Sequence, residues 1–168
     1  LAAASCKFCA AGKEYRDTES QCFSCDTGRY QSQNEAHSAT CENCPAGKYF
    51  YTDYLACKSC AVGRYQNDND EPSVICKTCE AGKQYVDQES TCTDCESGKY
   101  QNQNQAASVS CKFCPAGFVF GHTSADACNL CPMGRYQSQN GKIYLGCKTC
   151  TAGKFFQSSQ TECLGCPN

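Results

Sequence analysis

The most informative motif of the sequence is Cys92-Thr-Asp-Cys95-Glu-Ser-Gly-Lys-Tyr-Gln-Asn-Gln-Asn104. It holds a C-x-x-C pair, a glycine three residues after the second cysteine, and a polar run that opens with Lys and Tyr. A related version surrounds the neighbouring pairs, as in Cys41-Glu-Asn-Cys44-Pro-Ala-Gly-Lys-Tyr-Phe50. The two versions alternate along the chain, so the unit of the fold has two unlike halves.

The cysteines set the length of this unit. All 20 belong to ten C-x-x-C pairs, and the gaps between pairs are 12, 15, 12, 15, 12, 15, 13, 15 and 12 residues. The repeat is therefore 35 residues long, with one insertion near Gly121. We predict four full units and a partial fifth, at residues 6–40, 41–75, 76–110, 111–146 and 147–168. We expect this array to be a segment of a longer chain.

Composition leaves little material for an apolar core. Leu, Ile, Val and Phe together number 20 of 168 residues, about 12%, and chains below about 20% on that count rarely build such a core. Cysteine also makes up about 12%, above the roughly 8–10% that marks a disulfide scaffold. The net charge of −2 comes with no basic patch, so nothing indicates nucleic acid binding. No apolar run reaches the roughly 20 residues of a membrane-spanning helix.

Glycine and the polar runs predict short hairpins. A glycine follows each internal pair by three residues, which indicates a turn with positive φ. The run Tyr100-Gln-Asn-Gln-Asn104 resembles a short exposed strand, and stretches such as Ser73-Val-Ile75 supply a second strand before the next cysteine. The predicted fold class is therefore small and disulfide-rich. It is an elongated, solenoid-like rod of stacked short β-hairpin modules, with little helix and a minimal hydrophobic core.

The paired cysteines are also compatible with zinc, because C-x2-C-x12-C-x2-C is a zinc-site spacing. However, every gap is followed by a similar gap, so the pairs do not group in twos. Five Cys₄ sites would also need compensating cations in a slightly acidic chain. A redox role would need a thioredoxin-like unit, and none is visible. We favour disulfides with no cofactor, and hence an oxidising compartment, secreted or at the cell surface.

These residues carry a resemblance. The pattern around Gly98-Lys-Tyr-Gln and Cys111-Lys-Phe-Cys114-Pro-Ala-Gly117 resembles the ephrin-receptor-like (GCC2/GCC3) cysteine-rich repeats. It is similar also to the A-type modules of tumour necrosis factor receptors. Such repeats occur in animal receptors, in matrix proteins and in algal and protist surface proteins, and the last type is the one we expect here.

The resemblance implies a disulfide pairing, in which the second cysteine of one C-x-x-C bonds to the first of the next. The implied bonds are Cys9–Cys22, Cys25–Cys41, Cys44–Cys57, Cys60–Cys76, Cys79–Cys92, Cys95–Cys111, Cys114–Cys128, Cys131–Cys147 and Cys150–Cys163. Cys6 and Cys166 would then pair outside the segment. An interlocked alternative, such as Cys6–Cys22 with Cys9–Cys25, stays open at this point, because spacing alone does not settle connectivity.

Three features recur in register and are candidates for contact with other molecules. Aromatic residues occur in every half, and a Lys or Arg follows the glycine in eight of nine halves. The third feature is a run of amides after each long-half tyrosine, which could form a polar hairpin end or a ladder between units. We predict self-association or glycan contact at the residues that combine these features: Tyr30, Gln31, Tyr65, Gln66, Tyr100, Gln101, Tyr136 and Gln137.

The regularity of the repeat predicts a mechanical function. We expect an extracellular structural protein, part of a fibre, a flagellar-hair type of appendage or a surface coat. Its partners would be other copies of itself, other structural proteins or polysaccharide. The alternative is the stalk or ligand-binding region of a receptor or adhesin ectodomain. No constellation typical of an enzyme recurs in the units, so no catalytic residue and no metal ligand is assigned.

Overall fold

The computed structural model describes residues 8–16, 21–35, 38–51, 54–121, 126–143 and 145–167. Their contacts divide the chain into two compact units. One comprises Leu1–Lys77 with Asp87–Thr91, and the other comprises Thr78–Val86 with Cys92–Asn168. Both units are built from one element, a very short antiparallel hairpin.

Eight hairpins pair two strands each within the described ranges. Five belong to the short halves of the repeat and are called short hairpins: β1 Lys13–Glu14 with β2 Phe23–Ser24, β5 Lys48–Tyr49 with β6 Lys58–Ser59, β7 Lys83–Gln84 with β8 Thr93–Asp94, β11 Phe118–Phe120 with β12 Cys128–Leu130, and β15 Lys154–Phe155 with β16 Leu164–Gly165. Three belong to the long halves and are called long hairpins: β3 Arg29–Tyr30 with β4 Glu42–Asn43, β9 Lys99–Tyr100 with β10 Lys112–Phe113, and β13 Arg135–Tyr136 with β14 Lys148–Thr149. A ninth, of the long type, is held by a single bridge between Tyr65 and Lys77.

The predicted small, disulfide-rich fold of short hairpin modules is confirmed, since the described residues form such hairpins and contain no helix. The position of the strands was predicted wrongly. The first strand stops at the tyrosine, as at Tyr100, and does not extend over 101–104. The second strand lies between the two cysteines of the next pair, as at Lys112–Phe113, and not before the cysteine at 73–75. Pairing ends at Tyr100 because the next residue, Gln101, turns into the interior.

A tight turn opens each of the nine hairpins. The residue after the glycine donates its N–H to the carbonyl three residues before it, as from Lys48 to Pro45 at 3.1 Å. The nine glycines have φ values between 79° and 94°, which confirms the positive φ predicted from their recurrence. A glycine with positive φ at the third position is the signature of a type II turn. The glycine at the third position of the turn therefore fixes the start of every described hairpin, followed by Lys or Arg in eight of them and by Phe118 in the other.

A disulfide closes each hairpin. The nine bonds join the same pairs that the receptor resemblance implies, with Cα–Cα distances of 5.4–5.8 Å and sequence separations of 13–16 residues. Cys9 bonds to Cys22 and Cys25 to Cys41, so the interlocked pattern, which joins Cys9 to Cys25, is absent from the described residues. These eighteen sulfurs are consequently not available as zinc ligands. Cys166 is exposed with a free thiol, and Cys6 lies outside the described residues.

Cystines form most of the small core. Apart from cysteine, the buried apolar side chains among the described residues are Ala39, Val74 and Val109, which lie at equivalent places in three long hairpins. The recurring aromatic rings are not part of this buried core. Instead they are half-buried or exposed, and Tyr15 is 37% exposed. Cross-linking therefore replaces apolar burial as the main source of stability, at about 2–4 kcal/mol for each disulfide.

Two glycine substitutions should separate backbone strain from packing. Gly28 and Gly134 occupy equivalent turns, with φ of 94° and 79°. A Cβ at Gly28 would lie 2.3 Å from the backbone nitrogen of Ser73, whereas at Gly134 no described atom lies within 4 Å. We expect Gly134→Ala to destabilise by about 1–2 kcal/mol through its positive φ alone. Gly28→Ala should cost about 1–3 kcal/mol more through overpacking.

Guanidinium unfolding of the two variants, compared with the parent chain, checks this prediction. Equal losses of stability in the two variants would show that the loop carrying Ser73 does not pack on the turn at Gly28.

Candidate functional site

The glutamine that follows each long-half tyrosine is buried. Gln31, Gln66, Gln101 and Gln137 are 5%, 0%, 3% and 3% exposed. This burial corrects the contact role predicted for these four residues, because a side chain enclosed by its own chain cannot touch a second copy or a glycan. A buried amide needs internal hydrogen bonds to offset its desolvation. The hydrogen-bond partners of these four amides therefore indicate their role in the fold.

Both polar atoms of the Gln101 side chain form hydrogen bonds with the surrounding backbone. Its Nε2 donates to the carbonyl oxygens of Lys83 at 2.9 Å and Glu80 at 3.1 Å. Its Oε1 accepts the N–H of Gln103. In the next repeat, the Nε2 of Gln137 makes the equivalent bond to the carbonyl of Phe118 at 3.0 Å. The amide thus ties the loop of a long hairpin to the turn of the short hairpin before it.

The same amide groups are less well satisfied in the first two repeats. Gln31 and Gln66 keep the internal bond from Oε1 to the N–H two residues on, at Gln33 and Asp68. Their buried Nε2 atoms have no hydrogen-bond partner among the described residues. The glutamines of the third and fourth repeats therefore make the larger set of bonds.

The backbone of each glutamine links hairpins as well. Its carbonyl accepts the N–H of the preceding short-turn glycine at 2.7 Å in all four repeats, as from Gly82 to Gln101. In the first, second and fourth repeats its own N–H donates to a carbonyl of the following short hairpin, from Gln31 to Tyr54, from Gln66 to Gln88 and from Gln137 to Ser159, each at 2.9 Å. One residue type thus connects three successive hairpins. We call this arrangement the repeating junction, because its bond from the short-turn glycine to the glutamine carbonyl recurs in all four repeats.

The last asparagine of each amide run also bonds to the turn of the preceding short hairpin. Its Oδ1 accepts the backbone N–H of the alanine before the short-turn glycine, at 2.7–2.9 Å. The four pairs are Asn34 with Ala11, Asn69 with Ala46, Asn104 with Ala81, and Asn140 with Ala116. The amide runs are therefore neither simple polar ends nor ladders between units. Their first and last residues hold the long loop against the short turn within a single repeat.

The four long-half tyrosines, Tyr30, Tyr65, Tyr100 and Tyr136, are half-buried. Each lies beside a buried glutamine in the sequence. The contact role predicted for them stays a prediction. The basic residues that follow the glycines are mostly exposed, and Lys99 forms an ion pair with Glu96 at 2.8 Å.

The short hairpin of the second repeat exposes a cluster of aromatic and aliphatic side chains beside a lysine. The second repeat carries Tyr51, Tyr54 and Leu55, which are 48%, 37% and 50% exposed. The Nζ of Lys58 lies 3.6 Å from the centre of the Tyr51 ring, a cation–π contact. Phe50 packs edge-on against Tyr54 with ring centroids 5.7 Å apart. We call Tyr51, Tyr54, Leu55 and Lys58 the aromatic surface of the second repeat; sequence reasoning missed it because it sought features shared by all repeats.

Glu14 links two hairpins through a carboxylate. Its Oε2 accepts the N–H of Cys41 at 3.1 Å, and Arg16 lies 2.5 Å from Oε1. The Cys41 N–H and the Arg16 guanidinium hold the pKa of Glu14 below its ordinary value of about 4.5. Gln84 occupies the equivalent place in the third repeat and accepts the N–H of Cys111 at 3.4 Å.

Glu14→Gln should therefore keep the inter-hairpin bond and remove its pH dependence. A carboxylate with a lowered pKa stabilises the fold above its unfolded pKa and loses that contribution as pH falls through the folded pKa. We expect the stability of the parent chain to fall slightly more than that of the variant below about pH 4.5, by less than about 1 kcal/mol. Thermal unfolding of both chains between pH 7 and pH 3 measures the difference. Parallel curves would contradict the assigned bond to Cys41.

Two further observations limit the chemistry of the described residues. They contain no group of three or more His, Cys, Asp or Glu side chains arranged to hold a metal ion. None of their elements is a helix of the length and apolarity that would cross a membrane. The two histidines, His37 and His122, lie outside the described residues.

Comparison with known proteins locates the same module. Residues 82–127 match the family described as tyrosine-protein kinase ephrin type A/B receptor-like. This match and the nine-bond ladder confirm the resemblance to cysteine-rich repeat modules. A search of curated proteins gives no match to the chain. Modules of this disulfide-rich kind are those of extracellular or secreted proteins, and are typically structural or binding rather than catalytic.

Proposed function

We propose that the chain is an extracellular structural protein, a disulfide-laddered repeat rod that forms part of a fibre, an appendage of the flagellar-hair type or a surface coat. The observation that carries the proposal is the repeating junction. The cysteines that define the repeat in sequence close each hairpin, and its glycine, glutamine and asparagine residues hold hairpins to one another. Residues kept the same from unit to unit thus build a scaffold, which supports a mechanical task.

The exposed residues support the same proposal. The middle two positions of each amide run vary, as Ser32-Gln33 against Asn67-Asp68, and they are exposed or half-buried. These exposed positions of the amide runs therefore differ from repeat to repeat. If every repeat bound the same ligand, we would expect them to be the same. Self-association would use the half-buried tyrosines and the basic residues beside them, with other copies or polysaccharide as partners.

Electron microscopy of the native material, in non-reducing and then reducing buffer, tests the proposal. Ordered filaments or sheets with a fixed axial repeat, lost on reduction, are the expected result. Single particles without order in the non-reducing buffer would overturn the structural function. Filaments or sheets that survive the reductant but disassemble with a chelator would show that a metal, and not the cystines, holds the assembly together.

The aromatic surface of the second repeat favours a second candidate, a receptor or adhesin ectodomain. Tyr51 and Lys58 combine a ring, a hydroxyl and a cation on one exposed hairpin, and aromatic side chains bring large contact area at low entropic cost. In that case Tyr51→Ala should abolish binding of the isolated chain to its ligand on cells or glycan arrays. Tyr100→Ala, at a half-buried tyrosine, is the matched control. Unchanged binding in Tyr51→Ala would remove this surface as the binding site.

A further inference from the structure

Within each unit, the loop of one hairpin lies on the turn of an earlier hairpin of the same type. The position that a Cβ would occupy at Gly12 is 3.5 Å from Tyr54, and at Gly47 it is 3.0 Å from Glu89. At Gly117 it is 2.8 Å from Gln160. These three are short turns, and each is covered by the loop of the next short hairpin.

The long turns follow the same rule. The Cβ position of Gly28 lies 2.3 Å from Ser73, and that of Gly98 lies 2.8 Å from Ile143, both in the loop of the next long hairpin. Ser73 also donates its N–H to the carbonyl of Gly28 at 3.3 Å. Short loops thus dock on short turns and long loops on long turns, in each case two hairpins further along the chain. Only glycine leaves room for this approach.

One long turn among the described residues is built in the same way and is uncovered. Gly134 has φ of 79°, within the range of the covered turns, and no described atom lies within 4 Å of its Cβ position. Met133 beside it is 99% exposed. The short turn at Gly153 is also uncovered among the described residues. The geometry that receives a loop is therefore present at Gly134 without a loop on it.

We propose that the turn at Gly134 is a docking site for the loop of one more hairpin of the long type. The occupant follows from the covered long turns, whose partner hairpins share the sequence Gly-[Lys/Arg]-Tyr-Gln. At Gly28 the partner hairpin also donates a backbone N–H, that of Ser73, to the turn carbonyl. Such a hairpin would carry a cysteine to Cys166, since the equivalent Cys25, Cys60, Cys95 and Cys131 each bond 16 residues downstream. This proposal concerns how one hairpin packs on the turn of another. It goes beyond the proposed structural function, because it is argued only from contacts within the chain.

The test extends the chain by a hairpin of its own sequence. The segment Gly98–Cys111 is copied after Asn168, so that Cys166 takes the place of Cys95. The added cysteine should bond to Cys166, as shown by mass spectrometry. The backbone amide of the added serine that corresponds to Ser108 should donate to Gly134, as Ser73 does to Gly28. Its hydrogen exchange should slow by at least tenfold relative to the same segment as a free peptide.

Two controls keep the outcome decisive. A short-type extension, copied from Gly82–Cys92, can bond to Cys166 but should leave Gly134 uncovered and its own loop amides unprotected. A long-type extension with its cysteine changed to serine should still show slowed exchange, because docking does not depend on the bond. If the loop amide of the long-type extension exchanges as fast as the free peptide while the disulfide forms, Gly134 is not a docking site. Equal protection in the short-type extension would overturn the like-on-like rule.

Discussion

Gln101→Ala is expected to destabilise the chain by about 2–4 kcal/mol. The substitution removes the donor to two backbone carbonyls and the acceptor for the N–H of Gln103 in a site that is 3% exposed. Leaving buried polar groups without partners costs about 1–3 kcal/mol, and the cavity adds to that loss. Guanidinium unfolding followed by circular dichroism measures the change in the free energy of unfolding.

Two neighbours make this result specific. Gln103→Ala alters the same residue type at an exposed site two positions away, and should change stability by less than about 0.5 kcal/mol. Gln66→Ala should cost less than Gln101→Ala, because the Nε2 of Gln66 has no partner to lose among the described residues. A loss at Gln103 equal to that at Gln101 would mean that the buried amide does not hold the hairpins together.

Removing the Cys79–Cys92 disulfide by double substitution with serine is expected to cost at least about 3 kcal/mol. The bond closes a loop with a sequence separation of 13, for which the chain-entropy model gives about 3 kcal/mol. Both cysteines are also buried, at 1% and 7% exposure, so serine hydroxyls would be placed in the core. Thermal and guanidinium unfolding under non-reducing conditions measure the loss.

The Cys150–Cys163 disulfide is the matched control. Its sequence separation is also 13, so its removal takes away the same loop constraint. Cys150 is only half-buried, so less packing is lost with it. We expect the double serine variant at 150 and 163 to lose less stability than the one at 79 and 92. Equal losses would show that the cystines act only through the unfolded chain and do not serve as the core.

Much of the fold follows from the spacing of two residue types. The cysteine pairs predict a disulfide-rich repeat of 35 residues, and the resemblance to receptor modules supplies the pairing that closes each loop. The glycine three residues after each internal pair predicts a turn with positive φ, because glycine is the residue that adopts this conformation without a steric clash. The match of residues 82–127 agrees with this pattern. The strands could not be placed from the sequence, since a two-residue strand such as Lys99–Tyr100 is too short to show an alternating pattern.

The buried glutamines show why the sequence led to a predicted contact role with other molecules. Gln101 and Gln103 are the same residue in one polar run, and composition alone gives no reason to bury either. A usable signal lies in the comparison of repeats: the first position of the run is always Gln and the last always Asn, while the two between them vary. The fixed positions are those with bonds inside the repeat. The aromatic surface around Tyr51 follows no repeat pattern, so only the structure shows it as one surface.

Each hairpin is closed by its own cystine, so that the disulfides form a ladder along the chain. Digestion of the unreduced chain with trypsin and an Asp-directed protease separates Cys79, Cys92, Cys95 and Cys111 into four peptides, because Lys83, Asp94 and Lys99 lie between them. Mass spectrometry should find the Cys79 peptide joined to that of Cys92, and the Cys95 peptide joined to that of Cys111. A peptide that joins Cys79 to Cys95 would contradict the ladder and the hairpin scaffold built on it.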